Sequence, residues 1–570
     1  MTIAEEIQET TTPESYLIAE FGSSNTTAVL FDVAAGSYRL LARGSAPTTA
    51  AEPWANIMTG LIQAIRQIEE ATGRALLNEH EQLITPVRQF GIGVDKFAAI
   101  TSAAPPLKTL LVGLFDDISV ESARHVLHTT YATEIDCFSL NDPRDEGEQF
   151  SALINKELDV IFIVGGTDGG AEQRLLHLVD TLQLGMSVLS ERQRMFVVYA
   201  GNKALREPIN TKLKELAHIQ MAENVRPDLH TEYLADAATI INTLYEDIKV
   251  AQLPGAKTVQ TWSEQPLVST VHAFTLITKY FAALHNHSVL GIDVGSNSVT
   301  MIRADAHAAH VHVRTDLGMG APLINLLDKV SPADIARWVP NEVTDEEVRD
   351  FITYKSLYPQ TIPQTEFELY LEQAVARELI RATMPPNMPA YAMILVRGSV
   401  LTNAPRPGHT VLMLLDALQP TGIFSVALDK HNVLPALGTL ASIQPTAVVQ
   451  ALEAGILTDL GWVIVPTGKG QSGQSVVTGV VESETLGQFA LDIEHGAIDT
   501  TVLASGQVAN VTLNPHKHID IGFGEGKSKK ITVRGGAVGL VIDGRGRPLS
   551  IPVTEDRFEL LRQWHWDVGG

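Results

Sequence analysis

Two short stretches of this chain combine the residue types needed to hold a phosphorylated ligand. The first is Glu20-Phe-Gly22-Ser23-Ser24-Asn25-Thr26-Thr27 and the second is Asp293-Val-Gly295-Ser296-Asn297-Ser298-Val-Thr300. In each, an acid closes an apolar run, and a glycine and small polar residues follow. Glycine lets the backbone approach a ligand closely. The amides of a tight turn point outward and form an anion-binding concavity, to which the hydroxyls add donors. The carboxylates of Glu20 and Asp293 suit magnesium, usually through water, and the metal neutralises phosphate charge. The stretches 15–32 and 288–305 align without gaps at a constant offset of 273 residues, so Gly22 matches Gly295, Ser23 matches Ser296, Thr27 matches Thr300 and Glu20 matches Asp293. We expect two copies of one domain core, and from them a clamp on the β- and γ-phosphates from both sides. The plainer alternative is two hairpin turns, each with a solvated acid.

Other candidates carry less. Gly165-Gly-Thr-Asp168-Gly-Gly170 follows the apolar run Val160–Val164, at the carboxyl end of an expected parallel strand, where ligands bind; Asp168 either acts on a ligand or caps the next helix. Gly201-Asn202-Lys203 has the same placement after Met195–Tyr199. His307, His310 and His312, and likewise His516 and His518, have metal-like spacing but no accompanying cysteines or carboxylates. Lys469 lacks the following Ser or Thr of a P-loop, and no Gly-x-Ser-x-Gly elbow is present. Asp228-Leu-His230 and Asp305-Ala-His307 lack the glycine of the Asp-x-His-x-x-Gly pattern, so cobalamin is not expected to bind directly in that manner.

These residues need elements to position them. Tyr16–Gly22, Thr27–Asp32 and Tyr38–Arg43 read as a three-strand meander. A helix follows, with Trp54, Ile57, Met58, Leu61, Ile62, Ile65 and Ile68 at helical spacing. From about residue 88, the apolar runs Val87–Val94, Thr109–Leu114, Glu134–Phe138, Val160–Val164, Met195–Tyr199 and His218–Met221 alternate with amphipathic segments. That alternation predicts a doubly wound parallel sheet. Helices are expected near 231–250, 266–286, 320–329 and 365–383, and a strand at Tyr391–Val396. From about 460 the chain turns to short Val-, Thr- and Gly-rich runs, which predict a β-rich module ending in a helix at Asp556–Trp564. The expected organisation is a tail at 1–15, a first lobe at 16–287 with an α/β insertion at about 88–260, a second lobe at 288–458, and the β-rich module at 459–570.

The chain has 570 residues, of which 45% are hydrophobic, and a formal net charge of −24. That charge argues against broad binding to nucleic acid or anionic membrane, which needs basic surface. The single cysteine, Cys137, excludes an intrachain disulfide framework and a Cys-rich zinc site. The first fifteen residues are polar and acidic, with no apolar signal core. No run approaches the roughly 18 apolar residues of a membrane span. A cytoplasmic protein is expected.

Further motifs complete the pattern. They are Thr101-Ser-Ala-Ala-Pro-Pro-Leu-Lys108, Val112-Gly-Leu114, Tyr199-Ala-Gly-Asn202, Glu223-Asn-Val-Arg-Pro227, Arg314-Thr-Asp-Leu-Gly-Met319, Leu414-Leu-Asp-Ala-Leu-Gln-Pro420 and Val533-Arg-Gly-Gly-Ala-Val-Gly-Leu-Val-Ile-Asp-Gly-Arg-Gly-Arg-Pro548. With the two hairpins and the Gly165–Gly170 loop, they resemble the glutamate mutase-associated MutL family, which is unrelated to the mismatch-repair protein of that name. The similarity runs from about 16 to 566. The resemblance implies a two-lobed actin-like ATPase (ribonuclease H-like) fold, α/β in class. It also implies an ATP-dependent accessory or reactivating role, chaperone-like, for an adenosylcobalamin-dependent mutase. By that resemblance Gly22, Ser23, Ser24, Asn25 and Thr26 form the first phosphate loop, and Gly295, Ser296, Asn297 and Ser298 form the second. Gly398 and Ser399 lie beside the adenosine, Asp293 with Glu20 holds magnesium, and Asp168 positions water for a weak ATPase.

Four ligand-facing places depart from the family pattern. Glu20 stands for Asp, Gly295-Ser-Asn-Ser-Val-Thr300 for Gly-Gly-Ala-Thr-Thr-Asp, Ser102-Ala-Ala-Pro105-Pro106 for Ser-Ala-Ala-Gly-Gly, and Gly398-Ser399 for Gly-Gly. They motivate a second reading, a nucleotide-free pseudo-ATPase scaffold that keeps a partner surface. A small-molecule kinase on the same fold is a third.

Overall fold

The computed structural model describes residues 14–189, 194–386, 388–554 and 556–569. Residues 1–13 of the expected tail therefore lie outside the described residues; Ser15 is buried, and its hydroxyl donates to Asp95 at 2.8 Å. In chain order the strands are β1 (Tyr16–Phe21), β2 (Asn25–Ala34), β3 (Ser37–Pro47), β4 (Lys96–Thr101), β5 (Leu107–Val112), β6 (Ala132–Phe138), β7 (Val160–Ile163), β8 (Met195–Tyr199), β9 (Ala217–Met221), β10 (Val268–Ser269), β11 (Val289–Val294), β12 (Val299–Ala304), β13 (Ala309–Arg314), β14 (Met393–Arg397) and β15 (Gly422–Leu428). The C-terminal region adds β16 (Thr458–Val465), β17 (Thr467–Gly468), β18 (Ser475–Ser483), β19 (Gly487–Glu494), β20 (Ile498–Thr501), β21 (Val508–Pro515), β22 (Ile519–Asp520), β23 (Lys529–Arg534) and β24 (Gly539–Asp543).

The chain divides into two compact units. The first comprises residues through Ala103, Leu253–Ile277 and His431–Leu457. Its sheet runs β10-β4-β1-β2-β3, with β1, β2 and β3 antiparallel and β4 parallel to β1. Every residue of β1 is buried, so it reads as a continuous apolar run rather than an alternating one. The helix Ile57–Thr72 starts at Asn56, whose side chain accepts from Met58 N–H, and stops at Gly73 in the left-handed region. It packs so closely on β3 that a Cβ on Gly44 would stand 1.8 Å from the Ala64 carbonyl oxygen. The helices Leu434–Ile443 and Pro445–Glu453 belong to this unit although they lie far from β4 along the chain; Gln450 Oε1 accepts from the Tyr38 N–H at 2.7 Å.

The second unit repeats the plan. Its eight-stranded sheet runs β13-β12-β11-β14-β15-β16-β24-β20, again with an antiparallel meander followed by parallel β14 and β15. Numbered within each copy, both sheets begin 3-2-1-4-5. This duplicated order is that of an actin-like ATPase (ribonuclease H-like) fold, one copy in each unit. The second sheet does not end at residue 458: β16, β24 and β20 extend it. The other C-terminal strands form a four-stranded antiparallel sheet, β19-β18-β21-β23, and the pair β17-β22. The inserted strands form an all-parallel sheet, β6-β5-β7-β8-β9, as strand–helix alternation predicts. In chain order the insertion interrupts the first copy between β4 and β10, yet its contacts group it with the second unit. There Val313 N–H donates to His128 O, Thr315 Oγ1 donates to Ala132 O at 2.9 Å, and the rings of His128 and His312 pack edge-on at 4.8 Å.

One expected strand is corrected. The run 87–94 is irregular, because Pro86 breaks it and Gly91 and Gly93 adopt positive φ. The strand at that place is β4, whose apolar residues Phe97 to Ile100 are buried. The apolar run Val411–Leu415 lies inside the helix Pro407–Leu418, which opens with proline at its first turn and is buried all round.

The second unit is tied together by a buried chain of alternating charges. Arg377 Nε pairs with Asp416 at 2.7 Å, and Arg545 reaches Asp416 and Asp543, each at 2.8 Å. Arg547 completes the chain on Asp543 at 2.7 Å, while Arg545 stacks over Trp564 at 4.5 Å. Burial alone would raise the Asp543 carboxyl, but Arg545 and Arg547 hold it well below the usual range. Asp416→Asn should leave two buried guanidinium groups short of a counter-ion and lower stability by about 3–5 kcal/mol, measured by urea unfolding.

Burial, reinforced by neighbouring cations, keeps His128, His312 and His409 neutral, with pKa values lowered to about 3, about 4 and about 4. Unfolded histidine titrates near 6.5, so between these limits the unfolded chain binds more protons than the folded one. The histidine contribution is therefore complete above about pH 6.5 and is lost as pH falls toward about 4. The melting temperature should drop across that window, and His128→Phe with His312→Phe should make the drop shallower.

Candidate functional site

The two hairpins superpose in register as well as in sequence. Glu20 lies opposite Thr27 and Phe21 opposite Thr26; Asp293 lies opposite Thr300 and Val294 opposite Val299. Each turn is closed by its glycine. Gly22 N–H donates to Asn25 O at 3.0 Å, and Gly295 N–H donates to Ser298 O at 3.0 Å. A Cβ would stand 2.7 Å from that same carbonyl oxygen at Gly22 and 3.0 Å at Gly295, so a side chain would force the first turn to shift and would crowd the second. The 273-residue offset is thus a structural repeat of one turn.

In both copies the segment leaving the third strand folds over the turn. In the first unit Thr48 N–H donates to Ser24 O at 2.9 Å, and Thr48 Oγ1 donates to Gly22 O at 2.6 Å and lies 3.1 Å from Thr26 Oγ1. Ser102 N–H donates to Phe21 O at 2.9 Å, which puts the start of the 102–106 stretch beside the first hairpin. In the second unit Met319 N–H donates to Gly295 O at 2.9 Å, and Gly320 N–H donates to Ser296 O at 2.7 Å. These bonds use the turn carbonyls and so turn the peptide units in a fixed sense. Gly398 joins the second hairpin: its φ is +102°, and a Cβ there would stand 2.3 Å from Val294 O. Ser399 opens the short helix Ser399–Thr402 immediately after it. The second phosphate-loop candidates and Gly398-Ser399 are therefore brought together.

The two carboxylates differ in their surroundings. Asp293 faces Arg397, its register partner on β14, and the two form an ion pair at 3.1 Å with side chains only 18% and 8% exposed. Burial pushes the Asp293 carboxyl up, and Arg397 only partly opposes this. The register partner of Glu20 on β4 is Ile100, which is apolar. The closed glycine turns suit phosphate oxygens. At the second turn Asp293 is paired with the buried guanidinium of Arg397. Sequence reasoning missed Arg397 although it directly precedes Gly398, because nothing local sets the register of β11 against β14.

Asp168 finds its partners within the insertion. Its carboxylate accepts from Asn224 Nδ2 at 2.9 Å and Lys203 N–H at 3.2 Å, and its own N–H donates to Pro227 O at 3.0 Å. Burial would raise its pKa, but the bonds from Asn224 and Lys203 outweigh it and hold the carboxyl below its usual range. Asn202, fully buried, accepts from Gly169 N–H at 3.2 Å, and Asn224 Nδ2 also donates to Gly166 O at 3.0 Å. Three separate motifs, ending in Gly170, Asn202 and Pro227, thus converge on one loop at the carboxyl end of β7. Among the histidines of metal-like spacing, His312 packs on His128. Among the described residues no group of three or more His, Cys, Asp or Glu is placed to hold a metal ion.

Comparison with known proteins places these features in context. A family model described as MutL protein matches residues 16–385. Protein MutL of Clostridium tetanomorphum is 22% identical, over 77% of this chain and 98% of the relative. Similar solved structures include nucleotide-free acetone carboxylase, 12% identical over 85% of this chain and 82% of that one, with a TM-score of 0.35. Component A of the Acidaminococcus fermentans (R)-2-hydroxyglutaryl-CoA dehydratase is 8% identical over 78% and 99%, with a TM-score of 0.27.

The Asp168 contacts set an expectation for the loop. Asp168→Ala should release the Asn224 side chain and the Lys203 amide and lower stability by about 1–2 kcal/mol. Asp168→Asn, which keeps one acceptor oxygen, should lose less. Chemical unfolding of the two variants checks this order.

Proposed function

Because the chain belongs to the MutL protein family, we propose that it is an accessory, chaperone-like protein of an adenosylcobalamin-dependent mutase such as glutamate mutase, and that it binds ATP or ADP through its two hairpins. The observation that carries the reading is the repeated turn: the same glycine-closed hairpin, covered in the same way, once in each copy of a duplicated actin-like core. An isolated glycine turn is common; two built alike at matching positions call for a shared task.

In this reading Gly22 to Thr26 and Gly295 to Ser298 cradle phosphate oxygens with turn amides and hydroxyls. Thr48 and the 318–320 segment fix the sense of each turn before ligand arrives, which reduces the ordering cost of binding. Gly398 leaves space for close approach beside the second turn, and Ser399 adds a hydroxyl. Asp293 with Glu20 would hold the magnesium that accompanies the nucleotide. Asp168 keeps the Gly165–Gly170 loop in shape, and we assign it no proton. The nucleotide, when bound, supplies the free-energy difference between two states of the protein. The protein's grip on the mutase follows that difference, which lets damaged cofactor exchange. The chain itself is not assigned cobalamin.

The Asp293–Arg397 pair favours one competing reading, a nucleotide-free scaffold that retains only the partner surface. Thermal unfolding with millimolar ATP or ADP separates them, since a ligand at a hundred times its Kd adds about 2.7 kcal/mol to the native state. We expect a rise in melting temperature with either nucleotide, and capture of purified glutamate mutase that changes when nucleotide is added. Capture without any thermal shift would select the scaffold. Neither shift nor capture would end both readings.

A further inference from the structure

The inserted sheet carries a switch point built from residues that neither hairpin uses. Numbered within the insertion, β6-β5-β7-β8-β9 runs 2-1-3-4-5. The connections leaving β5 and β7 therefore run in opposite directions along the sheet, and right-handed crossovers put them on opposite faces. In an open parallel sheet the ligand crevice lies at such a point, beyond the carboxyl ends of the strands. Here those ends are Gly113-Leu114 after β5 and the run Gly165-Gly166-Thr167 that closes β7. Ser119, only 5% exposed, lies against both. Its Oγ is 3.4 Å from where a Cβ on Gly113 would stand and 3.5 Å from where one on Gly165 would stand. That hydroxyl has no hydrogen-bond partner among the described residues. Among the same residues the N–H groups of Leu114, Gly165, Gly166 and Thr167 also find no acceptor, although Leu114 and Gly165 are buried. Buried donors are almost always paired, so a cluster of them without acceptors marks a place where an acceptor belongs.

We propose that this switch point is an oxyanion site, for a phosphate group, held by the amides of Leu114, Gly165, Gly166 and Thr167 and by the Ser119 hydroxyl. It does not depend on the nucleotide reading above. Gly165 and Gly166 adopt φ of +120° and +73°, which lets successive amides turn toward one point, as in backbone anion sites. Asn202 N–H donates to Gly165 O at 3.2 Å and fixes that peptide. Gly166 and Thr167 are half-buried and open the site to solvent. The nearby acids are engaged elsewhere or exposed. Asp116 meets Cys137 Sγ on β6 at 3.7 Å, Asp168 accepts from Asn224 and from Lys203 N–H, and Asp117 is exposed. A bound water fits poorly, because it must place two hydrogens of its own where only donors converge. A phosphate dianion brings acceptors alone, and its charge strengthens each bond. The exposed ring of Phe115 follows Leu114 directly and offers an apolar face to an organic group carried on that phosphate.

Hydrogen–deuterium exchange on the full chain, with inorganic phosphate against chloride at equal ionic strength, tests this. Phosphate should slow amide exchange in the segments 113–120 and 165–168, about tenfold once it reaches ten times its Kd. Ser119→Ala should weaken phosphate binding, read by calorimetry, about tenfold, the scale of one hydrogen bond to a charged group, with Ser119→Cys intermediate. The same Ser119→Ala variant should keep or raise its urea midpoint, because it removes a buried hydroxyl that has no partner. Phenyl phosphate identifies the source of the anion. Tighter binding than inorganic phosphate assigns the site to an ester that rests on Phe115, and equal or weaker binding assigns it to the free anion. Exchange in both segments that phosphate leaves unchanged overturns the proposal. Ser119→Ala that binds phosphate as before also overturns it, and a lowered urea midpoint in that variant makes the hydroxyl structural. If ADP fails to bind while phosphate still protects these segments, the nucleotide reading falls and this site stands.

Discussion

The buried chain from Arg377 through Asp416, Arg545 and Asp543 to Arg547 is the constraint on which the second unit depends. It joins the helix Glu366–Thr383, the helix Pro407–Leu418 and the segment after β24. Each of these packs on the sheet that carries the second hairpin, in one cluster that includes Ile292, Met301, Val396 and Val541. Full burial of such charges is costly, and it is tolerated because each guanidinium and carboxylate finds a partner of opposite sign at hydrogen-bonding distance. The arrangement also explains why a region that reads as a separate module extends the core sheet. Asp416 gains its second cation only when β24 docks beside β16 and brings Arg545 to it. The C-terminal strands therefore belong to the scaffold that fixes the turn at Gly295.

Much of the fold was legible because it is written in local patterns. The meanders of both copies follow from apolar runs broken by Gly-Ser-Ser-Asn and Gly-Ser-Asn-Ser, and the repeat at constant offset declared the duplication. The inserted parallel sheet followed from strand–helix alternation. What was not legible depends on distant pairing. The run 87–94 is more apolar in outline than its outcome allows, because positive-φ glycines and Pro86 outweigh its hydrophobicity. The helices at 434–453 return to the first unit, and the insertion groups with the second, through contacts that no window of sequence contains.

The site divides in the same way. Gly22 and Gly295 were readable because a turn closed by its own glycine is a local object. The role of Asn202 and Asn224 was half readable: their motifs stood out, but only the folded insertion shows both side chains serving the loop that carries Asp168. Arg397 was invisible for a definite reason. It lies some hundred residues from Asp293, and a shift of one residue in the β11–β14 register would turn its side chain to the opposite face.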